Sequence, residues 1–128
     1  MKLLLDTQVL LWAAGMPESL SPAAQQMIAD SDHELCYSVA SLWEIVIKNG
    51  LGRSDFLVDA RLLRRGLLDH GYRELPVSAE HVLAVGSLPA IHRDPFDRLL
   101  VAQAMVEGIA LVTRDARLAQ YPAPIVRI

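Results

Sequence analysis

His92-Arg93-Asp94-Pro95-Phe96-Asp97-Arg98 crowds two carboxylates and two guanidiniums into one helix entrance, in a chain that is otherwise unusually apolar. Charge concentrated there attracts a metal ion or a phosphate. Asp6, Glu44 and Asp115 are further acidic residues in conspicuous places, far apart in sequence. Each has a plain structural explanation. Asp6 follows Leu3-Leu4-Leu5 and can cap the short helix after it. Asp94 precedes Pro95 as an N-cap, and Asp97, three residues later, can complete a capping box. Asp115, after Leu111-Val112-Thr113-Arg114, can cap a helical turn. Glu44 stands four residues before Lys48, an ion pair worth about 0.3–0.5 kcal/mol on an exposed helix.

Their placement argues for more. Asp97 shares a helix face with Leu100, Val101 and Ala104, a stripe that must pack inward, so its carboxylate points at the sheet edge. We therefore rank Asp97 as a metal ligand and Asp94 as the cap, with a lesser contribution to the metal. At about 100° per residue, Ser41, Glu44 and Lys48 form a narrow polar stripe. Val39, Ala40, Leu42, Trp43, Val46 and Ile47 cover most of the rest, which predicts a helix buried nearly all round with Glu44 facing a cleft. Carboxylates gathered at one edge cannot all stay ionised at neutral pH without a cation. An oxygen-only donor set selects Mg²⁺ or Mn²⁺. The four histidines show no metal-ligand spacing, which argues against zinc. Such a metal can activate water against a phosphodiester, with Arg98, Arg114 and Arg93 holding backbone phosphates. The competing role for these arginines is to balance the neighbouring aspartates.

The elements that must position these residues are short. Lys2 to Leu5 reads as a buried strand and Val9 to Ala14 as a helix broken by Gly15 and Pro17. Ser21-Pro22 starts a helix running to about Asp30, and Leu35 to Tyr37 is a second strand. Ser38 caps a helix to Asn49 with Gly50 as its stop, and Asp55 or Asp59 opens a Leu- and Arg-rich helix ending near Gly71. Tyr72 to Leu75 is a strand, Ser78 caps a helix to about Ser87, and Pro95 begins a helix that stops at Gly108. Ala110 to Val112 and Ile125 to Ile128 are strands flanking the turn that Asp115 caps. Short apolar strands alternating with helices predict an α/β fold with a parallel sheet covered on both faces. In such sheets ligands bind beyond the carboxyl ends of the strands, where Asp6 and Asp115 both fall.

Composition sets the limits. The 128 residues make one expected domain, 1–128, with 52% hydrophobic residues and a net charge of −3. That charge excludes a generic electrostatic nucleic-acid binder, so any such contact must be local. No apolar run is long enough to cross a membrane, and the N-terminus has no signal-peptide pattern. The single cysteine, Cys36, suits a reducing cytoplasm and a place in the core.

The same segments resemble PIN-domain toxins of the VapC type. Leu3-Leu4-Leu5-Asp6-Thr7 with Leu10-Leu11-Trp12-Ala13 looks like their opening motif, and Ser41-Leu42-Trp43-Glu44-Ile45 with Lys48 resembles the second. His92 through Ala104 is similar to the third, and Leu111-Val112-Thr113-Arg114-Asp115 to the fourth. The resemblance implies a PIN-like three-layer fold and a Mg²⁺- or Mn²⁺-dependent endoribonuclease, the toxin of a type II toxin–antitoxin pair. It puts Asp6, Glu44, Asp97 and Asp115 at the acidic catalytic and metal positions, with Asp94 in a lesser role and Thr7, Ser41 and Thr113 in support. It implies an RNA substrate, a VapB-type antitoxin, a homodimer, and products with a 5′-phosphate and a free 3′-hydroxyl. The helix of Leu62, Leu63, Leu67 and Leu68 with Arg61, Arg64 and Arg65 offers a surface for the antitoxin, although most of its leucines suit a core. The opening motif often reads Asp-Thr-His where this chain has Gln8, which cannot titrate.

Two other classes compete. A phosphatase using Asp6 as nucleophile, as in the haloacid dehalogenase family, needs a second aspartate where Gln8 stands. A PIN-like module that binds RNA or protein without cutting conflicts with an intact acidic set, whose charge would repel RNA.

Overall fold

The computed structural model describes residues 1–52 and 57–128. Its centre is a five-stranded sheet in the order β3-β2-β1-β4-β5, with every pair parallel. The strands are β1 (Lys2–Leu5), β2 (Glu34–Ser38), β3 (Arg73–Leu75), β4 (Ala110–Thr113) and β5 (Ile125–Arg127). Between them run α1 (Thr7–Gly15), α2 (Pro22–Ala29), α3 (Val39–Gly50), α4 (Ala60–Asp69), α5 (Ala79–Val85) and α6 (Pro95–Glu107). Short 3₁₀ turns lie at Pro17–Ser19 and Leu118–Gln120.

Alternation along β1 sorts the core into two layers. Leu4 joins Leu100, Val101, Ala104, Leu111 and Tyr121 beneath α6. Leu3 and Leu5 face the other way, onto Val9, Leu10, Leu20, Ala24 and Leu67 of the α1, α2 and α4 layer. The three-layer α/β architecture is therefore as expected, and Cys36 is buried and free in it.

The local signals act through side-chain oxygens. Ser21, Ser38, Asp59, Ser78 and Asp94 each accept a backbone N–H at the start of their helices. Asp59 opens α4; the other start considered, Asp55, lies outside the described residues. Gly108 ends α6 at φ +67, a left-handed position that costs glycine nothing.

Two expectations for α3 are corrected. The helix runs through Gly50, and the chain turns left-handed only at Gly52, with φ +70. Nor is it buried all round: Ala40, Ser41, Glu44 and Ile45 are buried, while Trp43, Val46 and Ile47 are exposed. The narrow polar stripe is the part turned inward, with Ser41 and Glu44 both buried. Trp43 lies over Phe96 of α6, edge to face, with ring centroids 5.1 Å apart.

Candidate active site

β1 and β4 are central neighbours, with Leu5 opposite Val112, so the residues just past their ends meet. Asp6 continues the ladder by donating its N–H to the Val112 carbonyl at 3.0 Å. One carboxylate oxygen caps α1 by accepting Val9 N–H at 2.8 Å, and the other accepts the Thr113 hydroxyl at 2.5 Å. The cap and the site residue are thus the same side chain. Thr113 Oγ1 also accepts the Asp115 N–H at 3.0 Å, so one buried hydroxyl joins the Asp6 carboxylate to the Asp115 backbone. On the opposite wall, the Thr7 and Ser41 hydroxyls lie 2.8 Å apart and tie α1 to α3.

Around this edge is a cleft of about 390 Å³ lined by acidic Asp6, Glu44, Asp94, Asp97 and Asp115 together with Lys48 and Arg114. Five carboxylates predicted to matter from four separate segments therefore converge. Asp94 keeps its role as cap, one oxygen accepting Phe96 and Asp97 N–H. Glu44 is buried, with one oxygen 2.7 Å from Lys48 Nζ. Among the described residues its other oxygen, also buried, has no hydrogen-bond partner.

The carboxylates respond to their crowding. Burial, then the charges of Asp94, Asp6 and Glu44, push the Asp97 carboxyl up to about 7, against a smaller lowering by His92. Burial also raises Asp6, the Thr113 and Val9 hydrogen bonds offsetting only part of it. Asp115 differs. Burial acts to raise it, but hydrogen bonds from Arg117 and His92 prevail and hold it below the usual range.

A PIN-domain family model matches residues 3–124. Over 135 aligned residues the chain is 31% identical to Ribonuclease VapC22 of Mycobacterium tuberculosis, covering 95% of each protein. The chain belongs to the PIN-domain family and is of the VapC type. Two solved structures share the fold at low identity. VapBC2 from Rickettsia felis, bound to a promoter DNA fragment, matches with TM-score 0.73 and 16% identity over 100% of this chain and 99% of that one. DNA-bound VapBC from Salmonella typhimurium matches with TM-score 0.67 and 14% identity over 99% and 98%.

The arginines of this PIN domain divide. Arg114 lines the cleft, its guanidinium 5.3 Å from the Trp12 ring centroid. Arg98, expected to hold phosphate, is instead committed to structure: it donates to the Pro89 and Val85 carbonyls and to the Tyr121 hydroxyl. It lies one helical step past Asp97, which turns it away from the cleft. Arg93 is exposed and is not part of the lining.

One residue was missed. His92 is buried, its Nε2 3.0 Å from Asp115 and 3.4 Å from Asp97. With these two aspartates it forms a cluster whose facing atoms lie within 4.8 Å of one another. Spacing could not reveal it, because its partners stand 5 and 23 positions on, far from any helical metal motif. The weak signal available was a histidine inside the most charged motif of the chain.

The donor set fits a hard divalent cation. It is almost wholly carboxylate oxygen, it includes the unpartnered buried oxygen of Glu44, and burial together with the neighbouring negative charges pushes the Asp97 carboxyl up to about 7.

Proposed function

We propose that this chain, as a single domain over 1–128, is a Mg²⁺- or Mn²⁺-dependent endoribonuclease, the toxin of a type II toxin–antitoxin pair. The observation that carries the reading is the convergence of Asp6, Glu44, Asp97 and Asp115 in one cleft beside a cationic Arg114. Asp6, Glu44, Asp97 and Asp115 would hold the cation, with Asp94 at the margin. When bound, it would supply activated water for in-line attack on a phosphodiester and neutralise the charge that develops there.

The protein's own residues do the positioning. Thr113 holds Asp6 and Asp115 in register, and the Thr7–Ser41 contact fixes the α1 and α3 walls. Lys48 balances Glu44 in the metal-free cleft. Arg114, pinned over Trp12, would meet a backbone phosphate at the mouth, and hydrolysis would leave a 5′-phosphate and a free 3′-hydroxyl. Gln8 also lines the cleft, where its amide would donate or accept hydrogen bonds but does not titrate.

A VapB-type antitoxin belongs to the same reading, supported by structural neighbours that are VapBC complexes, and a homodimer is expected with it. No helix among the described residues is long and apolar enough to cross a membrane, and the free buried Cys36 is consistent with the cytoplasm we assign. The test is incubation of purified protein with total cellular RNA and Mg²⁺, Mn²⁺ or EDTA, beside Asp97→Asn. Discrete cleavage that needs metal and vanishes in the variant is expected. Intact RNA with either metal, from folded protein free of antitoxin, would favour a module that binds without cutting.

A further inference from the structure

His92 has a partner at its backbone N–H and at both ring nitrogens. Its backbone N–H donates to the Tyr121 hydroxyl at 2.8 Å, Nδ1 accepts the Asp94 N–H at 3.0 Å, and Nε2 faces Asp115 at 3.0 Å and Asp97 at 3.4 Å. The Asp94 amide lies just outside α6 and needs an acceptor, which the ring provides. A neutral imidazole has one N–H and one lone pair. With the lone pair of Nδ1 taken by Asp94, the proton sits on Nε2, and Nε2 is a donor. It therefore has no lone pair to offer a cation. Flipping the ring would place a carbon against the Asp94 amide and break that bond.

We infer that His92 is a positioning residue, which donates from Nε2 to Asp115 and orients it toward the cation, and is not itself a metal ligand. This rests on the metal-site reading above. The two aspartates stand on separate stretches, one opening α6 and one following β4, and His92 spans them. Its backbone is anchored to Tyr121, whose buried hydroxyl also receives Arg98. Arg98 in turn holds the Pro89 and Val85 carbonyls, so the loop before α6 is fastened at several points. The donor set toward the cation then stays all oxygen.

Substitution separates donor from ligand. Gln places an amide N–H near the position of Nε2 and can restore the donation, whereas Ala cannot. Supporting groups of this kind typically matter by about 10–100-fold in metal affinity or activity. Calorimetric Mg²⁺ titration of the full chain should show binding weakened by roughly that factor in His92→Ala and within about threefold of the parent in His92→Gln. Turnover of RNA should fall in kcat with little change in KM for His92→Ala. Long-range ¹H–¹⁵N correlation of the imidazoles, with His92 identified by its loss in His92→Gln, should show the proton on Nε2 before and after Mg²⁺. A proton on Nδ1 in the metal-free protein, or loss of the Nε2 proton on adding Mg²⁺, would overturn the inference. So would unchanged Mg²⁺ affinity in His92→Ala. Should that variant not fold, the spectrum and His92→Gln still decide. Neither the spectrum nor the titration needs cleavage, so a parent protein that binds Mg²⁺ without cutting RNA would refute the ribonuclease reading alone.

Discussion

The two ends of α6 carry the same histidine arrangement with different consequences. At the far end, buried His81 accepts the Ser78 N–H on Nδ1 at 3.0 Å and turns Nε2 to Glu107 at 3.1 Å. At the near end, buried His92 accepts the Asp94 N–H on Nδ1 and turns Nε2 to Asp115, also at 3.0 Å. His81 completes a capping box for α5 and meets one carboxylate that is 41% exposed, so water can solvate that charge. His92 meets two carboxylates that belong to a cleft holding three more. The local geometry is nearly identical. What differs is how many charges converge beyond it, and that decides whether such a histidine closes a helix or organises a site.

The strongest way to break this contrast is to remove the convergence itself. Asp97→Asn should cut metal-dependent RNA cleavage by on the order of 10²–10³-fold, measured as single-turnover rate. The fold should survive: with one repelling charge gone, melting of the metal-free variant at pH 8 should rise by roughly 3–5 °C, about 1 kcal/mol. A variant that keeps parental activity would remove Asp97 from the site.

The two histidines can next be set against each other. His92→Ala should lose about 10–100-fold in activity. His81→Ala should leave the rate unchanged and cost about 1–2 kcal/mol of stability through the lost cap, read by urea unfolding. Equal losses of activity would dissolve the distinction.

Thr113→Val probes the buried hydroxyl. It should weaken Mg²⁺ binding by roughly tenfold, since both Asp6 and the Asp115 backbone lose a partner. An unchanged affinity would mean that the carboxylates are held by their backbones alone.

The smallest effect is in pH. Asp97 titrates at about 7 in the fold against an ordinary value of 3.8, so the folded state keeps a proton that the unfolded chain has released. The stability of the metal-free protein should therefore fall as pH rises from about 4 to about 7 and then level off, with Asp6 adding to the same trend. Asp115 and Glu74, both lowered, act in the opposite sense only at more acidic pH. Saturating Mg²⁺ should restore melting at pH 8 more than at pH 5, and isothermal titration near pH 7 should register proton release. A flat profile would show that the cleft does not concentrate charge.

Much of this was legible before any coordinates. Apolar runs marked the strands, and Ser and Asp at helix starts marked the caps, because these signals act within a few residues of backbone. Asp6 and Asp115 were found because a charge straight after a buried strand has few places to go. Arg98 misled for the opposite reason: charge beside Asp97 in sequence is turned away by the pitch of the helix. The exposed Trp43 face of α3 was hidden too, since a period shows which residues share a face and not which face meets the core.

The chain by itself determined its element types, its caps, its parallel α/β class and the short list of carboxylates, all consequences of local bonding and hydrophobic period. Only the tertiary structure decided that β1 lies beside β4, that Thr113 joins Asp6 to Asp115, that Arg98 serves Tyr121, and that His92 rather than His81 meets the aspartates of the cleft. Those contacts join residues as far as 107 positions apart. Their existence depends on strand order and on which burial lowers the free energy of the whole chain, information that no single segment contains.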